Sequence, residues 1–369
     1  MSNINFRNII GCSLIIICTV LGTLSSRGTN VFSITRVPYL FGIPFLLPFI
    51  VEYGKSNRNI LSSTMVLLLI VCSVASIVND DAGVYNCMLL LVLFRFFRHL
   101  TDRSVCMLLF CISLSQFIFI GAYGFSDTFN GHAVCTAMSY ITIISIISYN
   151  YNNKLFLLWI LFVVGFFTLY LIDSRTSLVG YTIGSLIILR NAALCKYGKI
   201  PMKYYFIIVL LLGCAYYYQD SISQKLFNKW ESQGYENVST FTGRELIWNQ
   251  ELTSDWTLFG HGDDYVMKVY GHHDAHNIFV QTLSRFGSIA FVLMFFISIY
   301  AIHLFRRIDI DRRNLFLPIF ITYLIIGLAE NVSFLDCKMF IPSIIFILVF
   351  SRLFNISNYE VRKTCYRAN

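Results

Sequence analysis

The apolar run at residues 155–172 reads LFLLWILFVVGFFTLYLI and contains no charged side chain. A helix needs about 20 mainly apolar residues to cross the hydrocarbon of a bilayer. Further runs of similar composition lie on either side, at 8–24, 37–53, 60–78, 83–97, 104–123, 133–149, 176–190, 203–219, 277–305, 314–329 and 338–355. The sequence therefore predicts an all-α integral membrane protein with about 12 transmembrane helices.

The overall composition excludes most soluble classes of protein. Hydrophobic residues make up 56% of the 369 residues and charged residues 13%, with a mean hydropathy of +0.66. Soluble domains usually carry about 25% charged residues, so soluble enzymes, nucleic-acid-binding proteins and disordered tails are excluded. The formal net charge of +8 does not indicate a nucleic-acid partner, because the charges lie in short segments between apolar runs.

The placement of lysine and arginine orients the chain, because cytoplasmic loops are enriched in both. Twelve runs put both termini on one side, and 19 of the 28 Lys and Arg residues fall on that side. We therefore expect cytoplasmic termini. We also expect the first run to be an uncleaved span, because no A-x-A-like site follows it. The predicted organisation is transmembrane helices 1–9 in residues 1–219, an external loop at 220–276, and helices 10–12 with a cytoplasmic tail in residues 277–369.

The external loop at 220–276 is the one long connection between the predicted spans. A connection of this length usually has local structure and often carries function. Residues 243–252 (GRELIWNQEL) have helical spacing, and Thr242 with Glu245 would form a capping box at the start of that helix. We expect a short amphipathic helix at the outer membrane–water boundary.

Two arginines stand at positions suited to an anionic ligand. Arg175 lies in a short turn within DSRTSLVG, residues 173–180, between two predicted spans. Arg244 follows a glycine at a predicted helix start, where the helix dipole disfavours a cation unless an anion shares the site. The alternatives are a snorkelling Arg175 paired with Asp173, and a solvated loop charge at Arg244.

Four of the seven histidines cluster near the end of the loop, at His261, His272, His273 and His276, beside Asp263, Asp264 and Asp274. Imidazole and carboxylate groups can bind zinc or manganese, but the spacing is not that of a helical metal site, so we expect no metal. We expect the first three histidines to lie in a plain polar loop. His276 differs because it stands at the predicted start of the tenth span, where a rigidly held histidine can act as a base.

The ordered set of these motifs resembles one family. An arginine turn (SRTSLVG) precedes a long external loop with TGRELIW and FGHG, and AHNIFVQTLSRFG then enters the next predicted helix. This order resembles the superfamily of O-antigen polymerases and O-antigen ligases, bacterial enzymes of surface-polysaccharide synthesis. The likeness covers about residues 155–290, and elsewhere it is topological only.

The resemblance implies a GT-C-like fold and a metal-independent, inverting glycosyltransferase without a cofactor. It implies a multi-pass protein of the bacterial inner membrane whose active site faces the periplasm. The donor would be an oligosaccharide on undecaprenyl pyrophosphate. Carried over by motif, Arg175 and Arg244 would bind the pyrophosphate and His276 would lie at the reaction centre.

Some assignments within this resemblance stay open. His272 or His273 would take the role of the reacting histidine if the motif match is shifted. Arg285 and Arg36 would add to the pyrophosphate site. Arg285 is expected a little deeper along the same predicted helix as His276, but on a different face, because nine residues are 2.5 turns.

The first functional hypothesis is an O-antigen polymerase, which moves the growing glycan onto a new lipid-linked repeat unit. It rests on the short cytoplasmic tail, the compact loop and the Phe/Tyr/Ile/Asn-rich composition. The second is an O-antigen ligase, which moves the glycan onto lipid A-core. A polysaccharide flippase or other transporter is the third, and it is disfavoured because neither an internal repeat nor mid-membrane acids are visible. The expected partners are the membrane, the lipid-linked oligosaccharide and a chain-length regulator protein, with no nucleic acid.

Overall fold

A computed structural model describes residues 11–13, 15–17, 19, 60–81, 83–123, 130–150, 155–172, 174–197, 244–272, 274–335 and 341–353. Within these ranges the chain forms α-helices and the connections between them, and it contains no β-strand. The predicted runs at 37–53 and 203–219, and much of 8–24, lie outside the described residues.

The helices follow the apolar runs predicted from the sequence. In chain order they are α1 (Ile60–Val78), α2 (Gly83–Arg98), α3 (Asp102–Tyr123), α4 (Asn130–Asn150), α5 (Leu155–Leu171), α6 (Arg175–Tyr197), α7 (Arg244–Thr253), α8 (Tyr265–Tyr270), α9 (Ile278–Phe305), α10 (Ile310–Gly327) and α11 (Ile341–Leu353). Four stretches within them are long and apolar enough to cross a membrane: Asp102–Gly121, His132–Asn150, Arg175–Cys195 and Ile278–Phe305. The described chain is therefore that of a multi-pass membrane protein, while the number of 12 spans stays a prediction.

Two helices extend beyond their predicted runs by four residues or more. The run at 176–190 belongs to α6, which continues to Tyr197, and the run at 314–329 belongs to α10, which begins at Ile310. The Asp309 side chain caps α10 by accepting a hydrogen bond of 3.0 Å from the Arg312 backbone N–H. Hydropathy marks only the apolar part of a helix, so a capped polar turn such as this one escapes it.

Helices α4, α6 and α10 pack against one another at the centre of the bundle. Small residues on α6 permit this close approach, since a Cβ added at Gly180 would lie 2.7 Å from Cγ1 of Ile326. A Cβ added at Gly184 would lie 2.1 Å from the Thr322 hydroxyl oxygen. Glycine at a helix interface is the usual means by which membrane helices bring their backbones together.

The order of these contacts shows that α6 and α10 are antiparallel. Gly180 meets Ile326, whereas Asn191 Nδ2 donates to Asn314 Oδ1 at 2.9 Å. The beginning of α6 therefore lies beside the end of α10. We call this the site end of the bundle, and the opposite one the far end.

At the far end one carboxylate ties three helices together. Asp102, the first residue of α3, pairs with Arg312 of α10 at 2.8 Å and with Arg352 of α11. Arg352 also donates to the Leu100 carbonyl at 2.6 Å. These pairs hold the far end while the site end is built from longer connections.

Helix α9 bends sharply at Gly287. Its φ of 88° and ψ of −179° are non-helical. The Phe279 and Phe295 ring centroids lie 5.9 Å apart, although 16 residues of straight α-helix would separate these positions by about 24 Å. The helix therefore has a first arm at 278–286 and a second arm at 288–305. This corrects the expectation of one continuous span over 277–305, because the first arm does not continue along the axis of the second.

The bend leaves room for the loop before it to approach closely. Residue 260 is a glycine with a φ of +67°, and a Cβ there would lie 2.4 Å from the carbonyl carbon and oxygen of Arg285. The adjacent backbone N–H groups of His261 and Gly262 donate to the carbonyls of Ser284 and Arg285 at 2.9 Å and 3.2 Å. The bend leaves these two carbonyls without their usual N–H partners in the helix, and the loop supplies the missing donors.

Gly260→Ala should destabilise the protein more than Gly271→Ala. Both glycines have φ near +70°, at +67° and +71°, but a Cβ at Gly271 meets no atom within 4 Å. Gly271→Ala should therefore cost only the left-handed backbone term of about 1–2 kcal/mol. Gly260→Ala should add roughly 1–3 kcal/mol from the clash with Arg285. Thermal unfolding midpoints in detergent would measure the difference, and equal losses in the two variants would contradict the close approach.

Candidate functional site

Two short helices within the predicted loop at 220–276 pack on the first arm of α9. The predicted helix at 243–252 is confirmed as α7, Arg244–Thr253, while Thr242 lies outside the described residues. The two helices and the first arm share a small apolar core of Ile247, Val266, Ala275 and Val280, against which Trp248, Tyr265 and Tyr270 pack. The loop thus has its own local core, joined to the bundle through α9.

A buried carboxylate links α7 to α8. Glu251 is buried and its Oε1 accepts a 2.7 Å hydrogen bond from the hydroxyl of Tyr270. Burial, and then the bond to Glu251, raise the pKa of Tyr270 far above its ordinary range. The phenol therefore stays protonated and remains a donor, so the link between the two helices persists at neutral pH.

His276 lies in a strained position just before α9. Its φ of 50° is in the left-handed region, which non-glycine residues seldom adopt. Its backbone N–H donates to Asp274 Oδ1 at 2.9 Å. The preceding Ala275 is held on both sides, because its N–H donates to Gln281 at 2.8 Å and its carbonyl accepts from the Trp248 indole at 2.6 Å. Strain of this kind persists only where the surroundings fix it, and it is often found at functional positions.

Asn277 joins this segment to the end of α10. Its Oδ1 accepts hydrogen bonds from the N–H groups of Phe279 and Val280 at 2.9 Å and 3.2 Å, which makes it the N-cap of α9. Its Nδ2 donates to the Leu328 carbonyl at 2.9 Å. One side chain therefore begins α9 and also fixes the turn that follows α10.

That turn carries a carboxylate shared by two of the predicted site residues. The Glu330 side chain is only 7% exposed, with Oε1 3.4 Å from Arg244 Nη1 and Oε2 3.5 Å from His276 Nδ1. Arg244 Nη1 also donates to the Ala329 carbonyl at 2.6 Å. Asp274 Oδ1 lies 3.3 Å from His276 Nδ1. The two residues predicted from separate motifs therefore meet at one buried acid.

Arg175, the third predicted residue, lies at the same end of the bundle. It is the first residue of α6, five residues before Gly180, which places it about 7.5 Å beyond that glycine along the axis. Glu330 follows Ile326, the neighbour of Gly180, by four residues on the antiparallel α10 chain. Its alternative partner Asp173 lies outside the described residues. The site end thus contains Arg175, Arg244 and His276 together.

Arg285 is engaged elsewhere. Its side chain is 3% exposed, and Nε and Nη2 donate to the two oxygens of Asp81 at 2.8 Å each. Nη1 lies 2.8 Å from Asp263 Oδ1. Arg285 lies on the first arm of α9, about two turns after its start, as the sequence predicted, and the bend at Gly287 follows it. Its contacts connect α9, the loop and the turn after α1, and its role in phosphate binding stays a prediction. Arg36 lies outside the described residues.

The histidine cluster is dispersed over the loop. His261 stacks on Tyr265 with ring centroids 4.2 Å apart, and His272 lies 6.4 Å from His276 in an edge-to-face arrangement. His273 lies outside the described residues. Among the residues that are described, no group of three His, Cys, Asp or Glu side chains is placed to hold a metal ion. Metal independence stays a prediction that chelation can test.

Two site-end acids were not singled out from the sequence. Glu330 directly follows an apolar run and Asp81 lies in a short turn between two runs. Their position next to apolar runs could have marked both acids as candidate site residues, because an acid at the edge of the hydrocarbon is costly unless it is paired. The sequence does not indicate the partner of either acid, since Glu330 is 86 residues from Arg244 and Asp81 is 204 from Arg285.

Residues 160–295 match the family described as O-antigen ligase. The matched stretch contains Arg175, Arg244 and His276, and it ends before Glu330. The match confirms the resemblance to the superfamily of O-antigen polymerases and O-antigen ligases. No curated protein matches the chain.

Asn277→Ala should destabilise the site end more than Asn277→Ser. Alanine removes both the cap of α9 and the bond to Leu328, at a combined cost of about 1–3 kcal/mol. Serine retains a capping oxygen and loses the bond to Leu328, at about 0.5–1.5 kcal/mol. Thermal unfolding in detergent would rank the variants. An Asn277→Ala midpoint equal to that of the wild type would refute the double role.

Proposed function

We propose that this chain is a glycosyltransferase that acts on a glycan carried by undecaprenyl pyrophosphate, and that it works as an O-antigen polymerase. It would move the growing glycan from the lipid carrier onto the non-reducing end of a new lipid-linked repeat unit. The acceptor hydroxyl attacks the anomeric carbon, the bond from that carbon to the pyrophosphate oxygen breaks, and the lipid pyrophosphate leaves with inversion at carbon.

The observation that carries this proposal is the cluster of Arg244, His276 and Glu330 at the end of an apolar bundle. A cation and an imidazole are held there on one buried carboxylate, and Arg175 begins a helix at the same end. A lipid pyrophosphate presents its charge at the edge of the hydrocarbon, where such a cluster meets it. The match to the O-antigen ligase family supports the same class of substrate.

Arg244 is held in a way that leaves it able to bind a ligand. Among the described residues, Arg244 contacts the Ala329 carbonyl and the Glu330 carboxylate, and it uses only Nη1 for both contacts. Nε and Nη2 therefore retain three N–H donors in a planar fork that suits phosphate oxygens. Because Glu330 offsets part of the charge of Arg244, a second cation is needed for a pyrophosphate, and Arg175 supplies it. Together they would stabilise charge on the leaving oxygen.

His276 would act as the base toward the acceptor hydroxyl. Both neighbouring carboxylates, Asp274 and Glu330, lie near Nδ1. A carboxylate at Nδ1 favours the tautomer that carries its proton there and leaves the Nε2 lone pair available. Nε2 would then take the proton of the hydroxyl as it attacks. The fixed backbone around Ala275 would hold the ring in place for this step.

The predicted topology puts these groups on one side of the membrane. The connections that carry them, at 79–82, 173–175, 220–276 and 330–337, all alternate with the lysine- and arginine-rich ones. With 12 spans and cytoplasmic termini they would face the periplasm from the inner membrane, as in a GT-C-like enzyme. A chain-length regulator would bind the same assembly as a partner.

The compact loop and the Phe/Tyr/Ile/Asn-rich composition favour the polymerase. The description of the matched family favours an O-antigen ligase as the second candidate, in which the same donor chemistry delivers the glycan to lipid A-core. The two activities differ in the acceptor, so the decisive experiment reads the product in the cell.

Alanine at Arg175, Arg244 or His276 should abolish glycan transfer by the purified, reconstituted protein. Loss of a group that stabilises the leaving charge costs about 10²–10³-fold in kcat, and loss of a base costs about 10²–10⁴-fold. Lysine at either arginine position should restore little, because a point charge lacks the bidentate fork. The rate of glycan transfer from a defined lipid-linked repeat unit, with the products separated on a gel, measures the loss in each variant.

Lys268→Ala is the matched control. Lys268 is an exposed cation of the same loop, and its ion pair with Asp264 is long at 3.9 Å, so activity should be unchanged. The same assay in excess EDTA should retain full activity. Loss of activity in EDTA that manganese restores would overturn the metal-independent mechanism.

A strain that lacks this gene should show lipopolysaccharide with core plus one repeat unit and no ladder. That pattern means that polymerisation has failed while ligation continues. Core alone, with long glycan accumulating on the lipid carrier, would assign the ligase activity instead. Core alone, with single repeat units retained on the cytoplasmic side, would reject both and indicate a flippase.

A further inference from the structure

A segment of the external loop runs beside the second arm of α9. The rings of Trp256 and Phe291 are 5.6 Å apart in an edge-to-face arrangement. The Ser288 N–H donates to the Thr257 carbonyl at 2.9 Å, and a Cβ at Gly287 would lie 2.3 Å from the Leu258 carbonyl oxygen. Residues 256–258 are therefore attached to α9 just after its bend.

The surroundings of α9 change at the same point. In the first arm Ile278 and every residue from Val280 to Phe286 are buried, so protein covers that arm on all sides. In the second arm the large apolar side chains of Ile289, Val292, Phe295, Phe296 and Ile299 are exposed. Their spacing places them on one face of the helix. In a membrane protein a long exposed apolar face of this kind is covered by lipid, and here it begins at Ile289.

The length of the second arm fixes where the hydrocarbon ends. Residues 288–305 are 18 residues, or about 27 Å of helix, close to the roughly 30 Å of a bilayer core. Arg306 and Arg307 follow directly at the far end, as expected just outside the hydrocarbon. The bend at Gly287 then lies at the opposite boundary.

Trp256 and Leu258 lie at that boundary and are not covered by protein. Trp256 is 46% exposed and Leu258 is 61% exposed, both in a connection where apolar exposure to water is unfavourable. The partner of Trp256, Phe291, is one turn before the lipid-facing Phe295, and the two rings stack. The exposed surface of residues 256–258 is thus continuous with the lipid-facing side of α9.

We propose that Trp256 and Leu258 form an interfacial anchor that inserts into the outer leaflet, at the boundary between phospholipid headgroups and acyl chains. Tryptophan favours this position because its ring is apolar and its N–H is polar. The anchor holds the loop at a fixed height over the bilayer, through α7 and the first arm of α9. The proposal depends on the membrane location of the chain and is independent of the reaction that the site carries out.

Tryptophan fluorescence in lipid nanodiscs tests the anchor. The nanodiscs contain phosphatidylcholine brominated either near the headgroup end of the acyl chain or near its methyl end. Wild type is compared with Trp256→Phe, which keeps an aromatic ring against Phe291. Trp256→Phe should lose a fluorescence component that shallow bromine quenches more than deep bromine. Trp248→Phe is the control, because Trp248 packs in the loop core, and it should retain that component.

The second measurement is the quenching of tryptophan fluorescence by iodide in the aqueous phase, and it also includes the wild-type protein. The component assigned to Trp256 should be protected from iodide in nanodiscs. The proposal is overturned if that component is quenched by iodide and not by brominated lipid, since the indole would then face water. It is also overturned if Trp256→Phe, eluting as the wild type in size exclusion, leaves lipid quenching unchanged. Transferase activity of Trp256→Phe is expected to match the wild type, so failure of the anchor and failure of the proposed reaction are distinguishable.

Discussion

The bend of α9 at Gly287 is the feature on which the site end depends. A straight helix would carry the residues before Ile278 far from the end of α10, and the loop would have no surface to pack on. Because the two arms fold toward each other, Ile278 meets Gly327 and Asn277 reaches the Leu328 carbonyl. The backbone conformation at residue 287 is open essentially to glycine alone, since its φ is +88° and its ψ is −179°. One residue without a side chain therefore directs the loop onto the bundle.

The ion cluster around Arg285 keeps the loop in place once the bend is formed. One guanidinium holds a carboxylate from the turn after α1 and another from the loop, and both Arg285 and Asp81 are almost completely buried. A buried pair of this kind adds little net stability compared with apolar packing, but the loss of one partner leaves an uncompensated buried charge. Through Asp81 and Asp263, this one guanidinium connects the turn after α1, the loop and α9.

A second shared charge organises the proposed reaction site. One carboxylate oxygen of Glu330 contacts the guanidinium of Arg244, and the other oxygen lies next to the imidazole of His276. The carboxylate fixes their separation before any ligand arrives, which reduces the reorganisation required during reaction. It also ties the turn after α10 to the loop, so the folding of the bundle and the assembly of the site are coupled. The interfacial anchor at Trp256 would set the height of this unit over the bilayer.

The sequence by itself determined the features that depend on local composition. An apolar run such as 104–123 specifies a helix long and apolar enough to cross a membrane, and GRELIWNQEL specifies α7. The ordered motifs identify Arg175, Arg244 and His276 as candidates. Only the tertiary structure decided the bend at Gly287, the left-handed backbone of His276, and the pairings of Glu330 and Asp81 with distant arginines. The physical reason is that helix periodicity and hydropathy act over a few turns of chain. Partners 86 or 204 residues apart meet only when the helices that carry them have packed.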